Sequence, residues 1–255
     1  MKLNMTNGRV SAVLTGVLLL SLVGIARATL IEGFESGTFS GSENTVGDAG
    51  IKTTYHGIAA PEGTHQLLLT TINNSSDPGY SHEFADATTP AAMASLFGVS
   101  SSQIRDGIAT AQEGSGFTIS LGVLQAGSTI SFSYDFLTTE VPTGQHRDFA
   151  FYTLTGSTGV TVIADSFSPL LHPVTDMTNP FNLETGYQTF IININTTGSY
   201  TLGLGVADAT TTDNPSGLLI DNIQVTPVPE PTTIAFSIAG AALLVALRSR
   251  IKKTS

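Results

Sequence analysis

Thr129-Ile130-Ser131-Phe132-Ser133-Tyr134-Asp135-Phe136-Leu137 is the stretch that decides the fold. Ile130, Phe132, Tyr134 and Phe136 fall on one face, and Thr129, Ser131, Ser133 and Asp135 on the other. Side chains alternate along a strand, so a period of two with one apolar face marks a half-buried strand. Similar short runs, rich in β-branched and aromatic residues, occur at 29–34, 51–55, 66–72, 117–123, 148–154, 160–165, 187–194, 199–206 and 218–225. Ala126-Gly127, Thr197-Gly198 and Pro215-Ser216-Gly217 punctuate them as turns. Many short strands separated in this way predict an all-β domain, a jelly-roll-like β-sandwich.

One stretch departs from the pattern. Residues 89–111 read as a short helical insertion, with helices predicted over 90–97 and 101–111. Thr89 is placed to cap the first, with Pro90 at its first position, and Ser101 or Ser102 to cap the second.

The two ends belong to transport rather than to the fold. Residues 1–28 have the three parts of a secretory signal peptide: basic Lys2 and Arg9, an apolar run over 10–25, and Ala26-Arg27-Ala28 before the cut. The mature chain is expected to begin at Thr29, after passage through the Sec translocon and cleavage by signal peptidase between Ala28 and Thr29. At the other end, Pro227, Pro229 and Pro231 hold the chain extended and exposed, which suits a processing enzyme. Residues 232–247 carry no charge. As a helix they span roughly 24 Å, slightly under a ~30 Å hydrocarbon core. Arg248, Arg250, Lys252 and Lys253 follow, so a transmembrane helix with a cytoplasmic C-terminus is predicted.

Val228-Pro229-Glu230-Pro231, the apolar helix and the terminal basic cluster together resemble the PEP-CTERM sorting signal of Gram-negative bacteria that make extracellular polysaccharide. The resemblance covers about 28 residues. It implies recognition of Val228, Pro229, Glu230 and Pro231 by an exosortase, a membrane-embedded cysteine-dependent enzyme. It also implies an inner-membrane intermediate, followed by release to the cell surface or the extracellular matrix. Three domains follow: signal peptide 1–28, β-sandwich ectodomain 29–226, and sorting signal 227–255.

Removing both ends changes the charge balance. Only Lys52, Arg105 and Arg147 remain in the body against 19 acidic residues, a net charge near −16. Such a surface excludes nucleic acid as a partner. It repels itself unless cations are present, and Ca²⁺ is the natural expectation for hard oxygen ligands. The chain has no cysteine, which removes disulfides, thiol nucleophiles and cysteine zinc sites. About 199 residues are enough to bury a core without such staples. No histidine pair has metal spacing, and no nucleophile elbow or phosphate-cradling glycine loop is present.

The body, over much of 113–225, resembles the β-sandwich ectodomains of PEP-CTERM proteins and, more faintly, carbohydrate-binding jelly rolls. The residues concerned are Glu113–Gly116, Gly127–Thr138, Asp148–Phe151 and Gly217–Val225. In such jelly rolls a first-strand acid and a last-strand Asp share a structural Ca²⁺. The matching positions are Glu32 or Glu35 and Asp221, and Asp48 in the following loop is placed to add an oxygen. A second acidic cluster, Asp135, Glu140, Asp148 and Asp165, would line one sheet end if strands pair as consecutive hairpins. It reads as a cation site or, less readily, as glycosidase carboxylates. Asp208 and Asp213 read as turn formers. Sugar platforms use exposed aromatics; the chain has no Trp, which leaves Tyr55, Tyr80 and Tyr187 to stack on a sugar. The sequence therefore points to an exported, non-enzymatic surface or matrix protein. The alternatives are a Ca²⁺-dependent module binding extracellular polysaccharide and a secreted hydrolase.

Overall fold

A computed structural model describes residues 27–77, 79–141 and 147–228. Residues Ala26–Val228 form one compact unit. The predicted signal helix, the transmembrane helix and Pro229, Glu230 and Pro231 lie outside the described residues. Among the described residues no helix is long and apolar enough to cross a membrane.

The strands are β1 (Thr29–Glu32), β2 (Glu43–Val46), β3 (Asp48–Lys52), β4 (Thr54–Tyr55), β5 (Ile58–Ala59), β6 (Gln66–Thr70), β7 (Ala111–Leu124), β8 (Thr129–Thr138), β9 (Phe149–Leu154), β10 (Thr161–Asp165), β11 (His172–Pro173), β12 (Leu183–Glu184), β13 (Gln188–Asn193), β14 (Gly198–Ala209) and β15 (Ser216–Thr226). One helix, α1 (Pro90–Phe97), lies between β6 and β7. An eight-stranded sheet runs β11-β12-β8-β15-β6-β3, with β13 also on β8 and β1 on β15. A five-stranded sheet runs β10-β9-β14-β7-β2, and β4 and β5 form a separate hairpin. Every pairing between named strands is antiparallel.

The all-β sandwich reading holds. Ile130, Phe132, Tyr134 and Phe136 of β8 enter the central core with Phe117 and Ile119 of β7, Leu202, Leu204 and Val206 of β14, and Leu218 and Ile220 of β15. Each such side chain contributes roughly 2 kcal/mol of burial. Both outer faces are partly covered as well. Helix α1 lies over the five-stranded sheet, bringing Met93 and Phe97 against Phe149, Phe151 and Ala207. Its close approach depends on glycines, because a Cβ at Gly114, Gly116 or Gly203 would run into Met93 or Phe97. On the other sheet Tyr55 and Phe181 cover Leu68, Leu137 and Leu219.

The helical insertion is half as predicted. Helix α1 starts at Pro90, with the Thr89 side chain accepting from the Ala92 amide, and ends at left-handed Gly98. The second predicted helix is only a 3₁₀ turn, Ser101–Gln103. Asp106 stops it by accepting the amides of Ile108 and Ala109 at 2.7 Å each. Gly107 takes a positive φ of 99°, and Ala111 already begins β7. Asp48, expected in a loop, lies at the start of β3.

Candidate functional site

The first and last strands do pair, with Glu32 opposite Ile223 across a bulge. They bring part of the first acidic group together. Asp221 accepts the amides of Glu62 at 2.9 Å and Asn222 at 2.6 Å. Burial, opposed by those two amides, holds its carboxyl up at about 6, with Glu62 and Glu35 adding negative field. Glu35 receives the amides of Thr64 and His65 at 2.9 Å, and these hold it down at about 2. Glu32 accepts the Phe34 amide at 2.5 Å. Burial and the neighbouring Glu43 carboxyl raise it to about 6.

Asp48 serves a different purpose. It is fully buried, and its carboxylate accepts from Thr70 Oγ1 at 2.5 Å and from the amides of Glu83, Phe84 and Ala85 at 3.0, 2.7 and 3.1 Å. The three amides pin the 83–85 loop onto β3. The four expected ligands Glu32, Glu35, Asp48 and Asp221 thus do not fit one ion. Among the described residues no three His, Cys, Asp or Glu side chains are spaced to hold a metal between them.

The second acidic group also divides. Strands β8 and β9 lie in different sheets rather than in one hairpin series, so Asp135, Glu140, Asp148 and Asp165 do not line one sheet end. Asp135 faces outward from β8, accepting Thr185 Oγ1 at 3.2 Å. Burial and the Glu184 charge raise it to about 7. Asp165 pairs with Arg147, Nη1 to Oδ2 3.4 Å, and Arg147 also reaches Asp106. Glu140 and Asp148 stay together inside the sandwich, where Glu140 adds negative field to Asp148.

There they meet residues that the sequence reading set aside. Asp208 is no turn former: it lies in β14, opposite Glu113 of β7, and is fully buried. Asp148 Oδ1 accepts the Ala209 amide at 3.2 Å, and its Oδ2 lies 2.7 Å from Ser216 Oγ. Ser216 Oγ is also 2.8 Å from Thr138 Oγ1. Neither oxygen of Asp208 receives a donor. Burial and the Asp148 charge push the Asp208 carboxyl far up, and burial raises Asp148. Asp77, fully buried with Oδ2 on the Asn73 amide, and Glu113, held by Ser76 and Asn73, add negative field. One signal could have found this centre. Leu202, Leu204 and Val206 face the core, and continuing that alternation puts Asp208 on the same face. The same parity takes Ala150 to Asp148, Leu218 to Ser216, Phe136 to Thr138 and Glu140, and Phe117 to Ser115 and Glu113.

At the surface, Tyr55 is buried against Phe181 and His56 and offers no sugar platform. Tyr187 hydrogen-bonds Gln66 through its hydroxyl. An open groove of about 630 Å³ lies against β10, lined among others by Ser102, Gln103, Arg105, Asp106, Thr158 and Thr161. Val228, the last described residue, is exposed, whereas Thr29 at the predicted signal cut begins β1.

No family model matches the chain, and no curated protein matches it. Solved structures similar to it include the K1 cleaved adhesin domain of Lys-gingipain from Porphyromonas gingivalis W83, with 9% identity and a TM-score of 0.43, covering 79% of this chain and 99% of that one. Another is TmCBM61 in complex with β-1,4-galactotriose, with 9% identity and a TM-score of 0.37, covering 77% and 94%. A third is the mannan-recognising carbohydrate-binding module TmCBM27, with 15% identity and a TM-score of 0.38, covering 80% and 100%.

Proposed function

We propose that this chain is an exported, non-enzymatic protein of the bacterial cell surface or extracellular polysaccharide layer. Residues 1–28 carry it through the Sec translocon. Residues 232–247 hold it in the inner membrane, and an exosortase processes it at Val228–Pro231. The observation that carries this reading is the exposure of the chain just after the last strand. The last strand, β15, ends at Thr226, and the exposed Pro227 and Val228, the first residue of the motif, follow it. A processing enzyme needs an extended peptide, and the prolines at 227, 229 and 231 of the sequence favour that conformation. The carboxyl pair Asp148–Asp208 does not serve as a glycosidase site. Paired, perturbed acids mark many active sites, but both residues here are fully buried and out of reach of a polymer substrate.

Intact-mass analysis of the protein from an exosortase-positive and an exosortase-null host tests the reading. Loss of the residues beyond the motif is expected in the first host only. A chain ending at Ser255 in both overturns it.

A second reading, a module binding extracellular polysaccharide, is favoured by the groove beside β10, whose hydroxyl, amide, Arg and Asp side chains suit sugar hydroxyls. Binding to a glycan array lost on Arg105→Ala supports it, and no binding to any glycan removes it.

A further inference from the structure

We propose that Asp148 and Asp208 form a structural binding site for one divalent cation with hard-oxygen preference, at the end of the sandwich interior. This site is distinct from the first–last strand group around Asp221, and the inference is independent of the export reading. Asp208 is the decisive residue. It is fully buried, and no donor reaches either of its oxygens. A buried carboxylate without a partner is costly, and native proteins pair such groups, protonate them or bind a metal with them. The nearest group is Asp148, itself an acceptor already served by Ser216 Oγ and the Ala209 amide. Two acceptors can meet only through a shared proton or a shared cation.

The surroundings favour the cation. Glu113 and Asp77 face Asp208, and Glu140 acts on Asp148, all of the same sign. The basic residues of the body are occupied elsewhere: Lys52 with Glu83, Arg147 with Asp165 and Asp106, and Arg105 on the Gly107 carbonyl. One proton cannot offset this field as a divalent ion would. The donor set is entirely oxygen, with Ser216 Oγ on the Asp148 carboxylate, and it contains no nitrogen or sulfur. That chemistry fits Ca²⁺ first and Mg²⁺ or Mn²⁺ next. Two carboxylates form the anionic core of the site, and hydroxyl, carbonyl and water oxygens complete the shell. Asp148 directly precedes β9 and Asp208 lies in β14 of the five-stranded sheet, while Ser216 opens β15 of the other sheet and bonds Asp148, so occupancy would tie the two sheets together.

The test uses the full chain, stripped with EDTA, dialysed into metal-free buffer and titrated with CaCl₂, MgCl₂ or MnCl₂. Expected are one bound equivalent by elemental analysis and a Tm rise of about 5–10 °C at a hundredfold excess over Kd. Asp208→Asn removes both effects. Asp221→Asn leaves both in place, which separates this site from the first–last strand group. Asp148→Asn should behave like Asp208→Asn; if it fails to fold, the Asp208 variant alone decides. No bound metal in the wild type, equal metal in Asp208→Asn, or loss only in Asp221→Asn overturns the proposal. In the first case the pair is held by a shared proton.

Discussion

Asp48 and Asp208 are both aspartates with no exposed surface, yet they are opposites. Asp48 sits among four donors, three of them backbone amides of one loop. Asp208 has none, and another carboxylate stands beside it. Burial alone therefore does not decide what an acid does. Where amides are already aimed at it, a buried carboxylate organises the chain around it. Where only acids face it, it must recruit something from solvent. One centre is finished by its own fold; the other is completed from outside.

The largest expected effect breaks the first centre. Asp48→Asn places an amide N–H against the amides of the 83–85 loop and leaves buried donors without an acceptor. It should cost about 3–5 kcal/mol, read as a lower denaturation midpoint, with proteolysis appearing near Phe84. The same change at Asp208 in metal-free buffer orphans no donor, and should cost less than about 1 kcal/mol. Equal losses at both positions would remove the contrast.

Asp135 lies between these extremes, with one donor, Thr185 Oγ1, and one oxygen lacking any. Glu184 repels it, while His172 offers a weaker opposite field; Tyr187 and Tyr134 are its other titratable neighbours. Its folded pKa is raised to about 7 from 3.8, so the folded state holds its proton longer than the unfolded chain does. Stability from this group is then greatest below about pH 4 and falls as pH rises from there to about 7. Asp135→Asn should stabilise the protein by about 2 kcal/mol at pH 8, and the gain should vanish at pH 4. Urea melts at the two pH values measure it, and a loss at pH 8 would show that the charge is supported after all.

The fold was legible because period two is local. Ile130, Phe132, Tyr134 and Phe136 announce their face without any partner, and Thr89-Pro90 announces a helix start. The acidic centres were not legible as groups, because sheet membership is not local. Asp148 and Asp165 look alike in sequence, yet one points between the sheets and the other finds Arg147 at the edge. Asp208 was missed because the threonines after it read as a turn, although the parity of Leu202, Leu204 and Val206 already turned it inward. The donors of Asp48 lie some 35 residues away in a loop with no regular pattern, and a sequence gives no sign of an amide aimed at a carboxylate.

The smallest effect sharpens the comparison by removing burial from it. Glu35 is bound like Asp48, by the amides of Thr64 and His65 together with Thr64 Oγ1, but in water. Those amides hold its carboxyl at about 2, below its ordinary 4.5, so the folded state favours the charged form. Its contribution is present above about pH 4.5 and is lost as pH falls towards 2. Glu35→Gln should lower Tm slightly at pH 7 and leave it unchanged at pH 2, because solvent competes for every one of these bonds. Following the Glu35 carboxyl by NMR titration in the same samples separates the two causes. A depressed midpoint with almost no Tm change means that the amides set the charge and burial sets the energy. A Tm loss as large as that of Asp48→Asn would mean that the donors alone suffice.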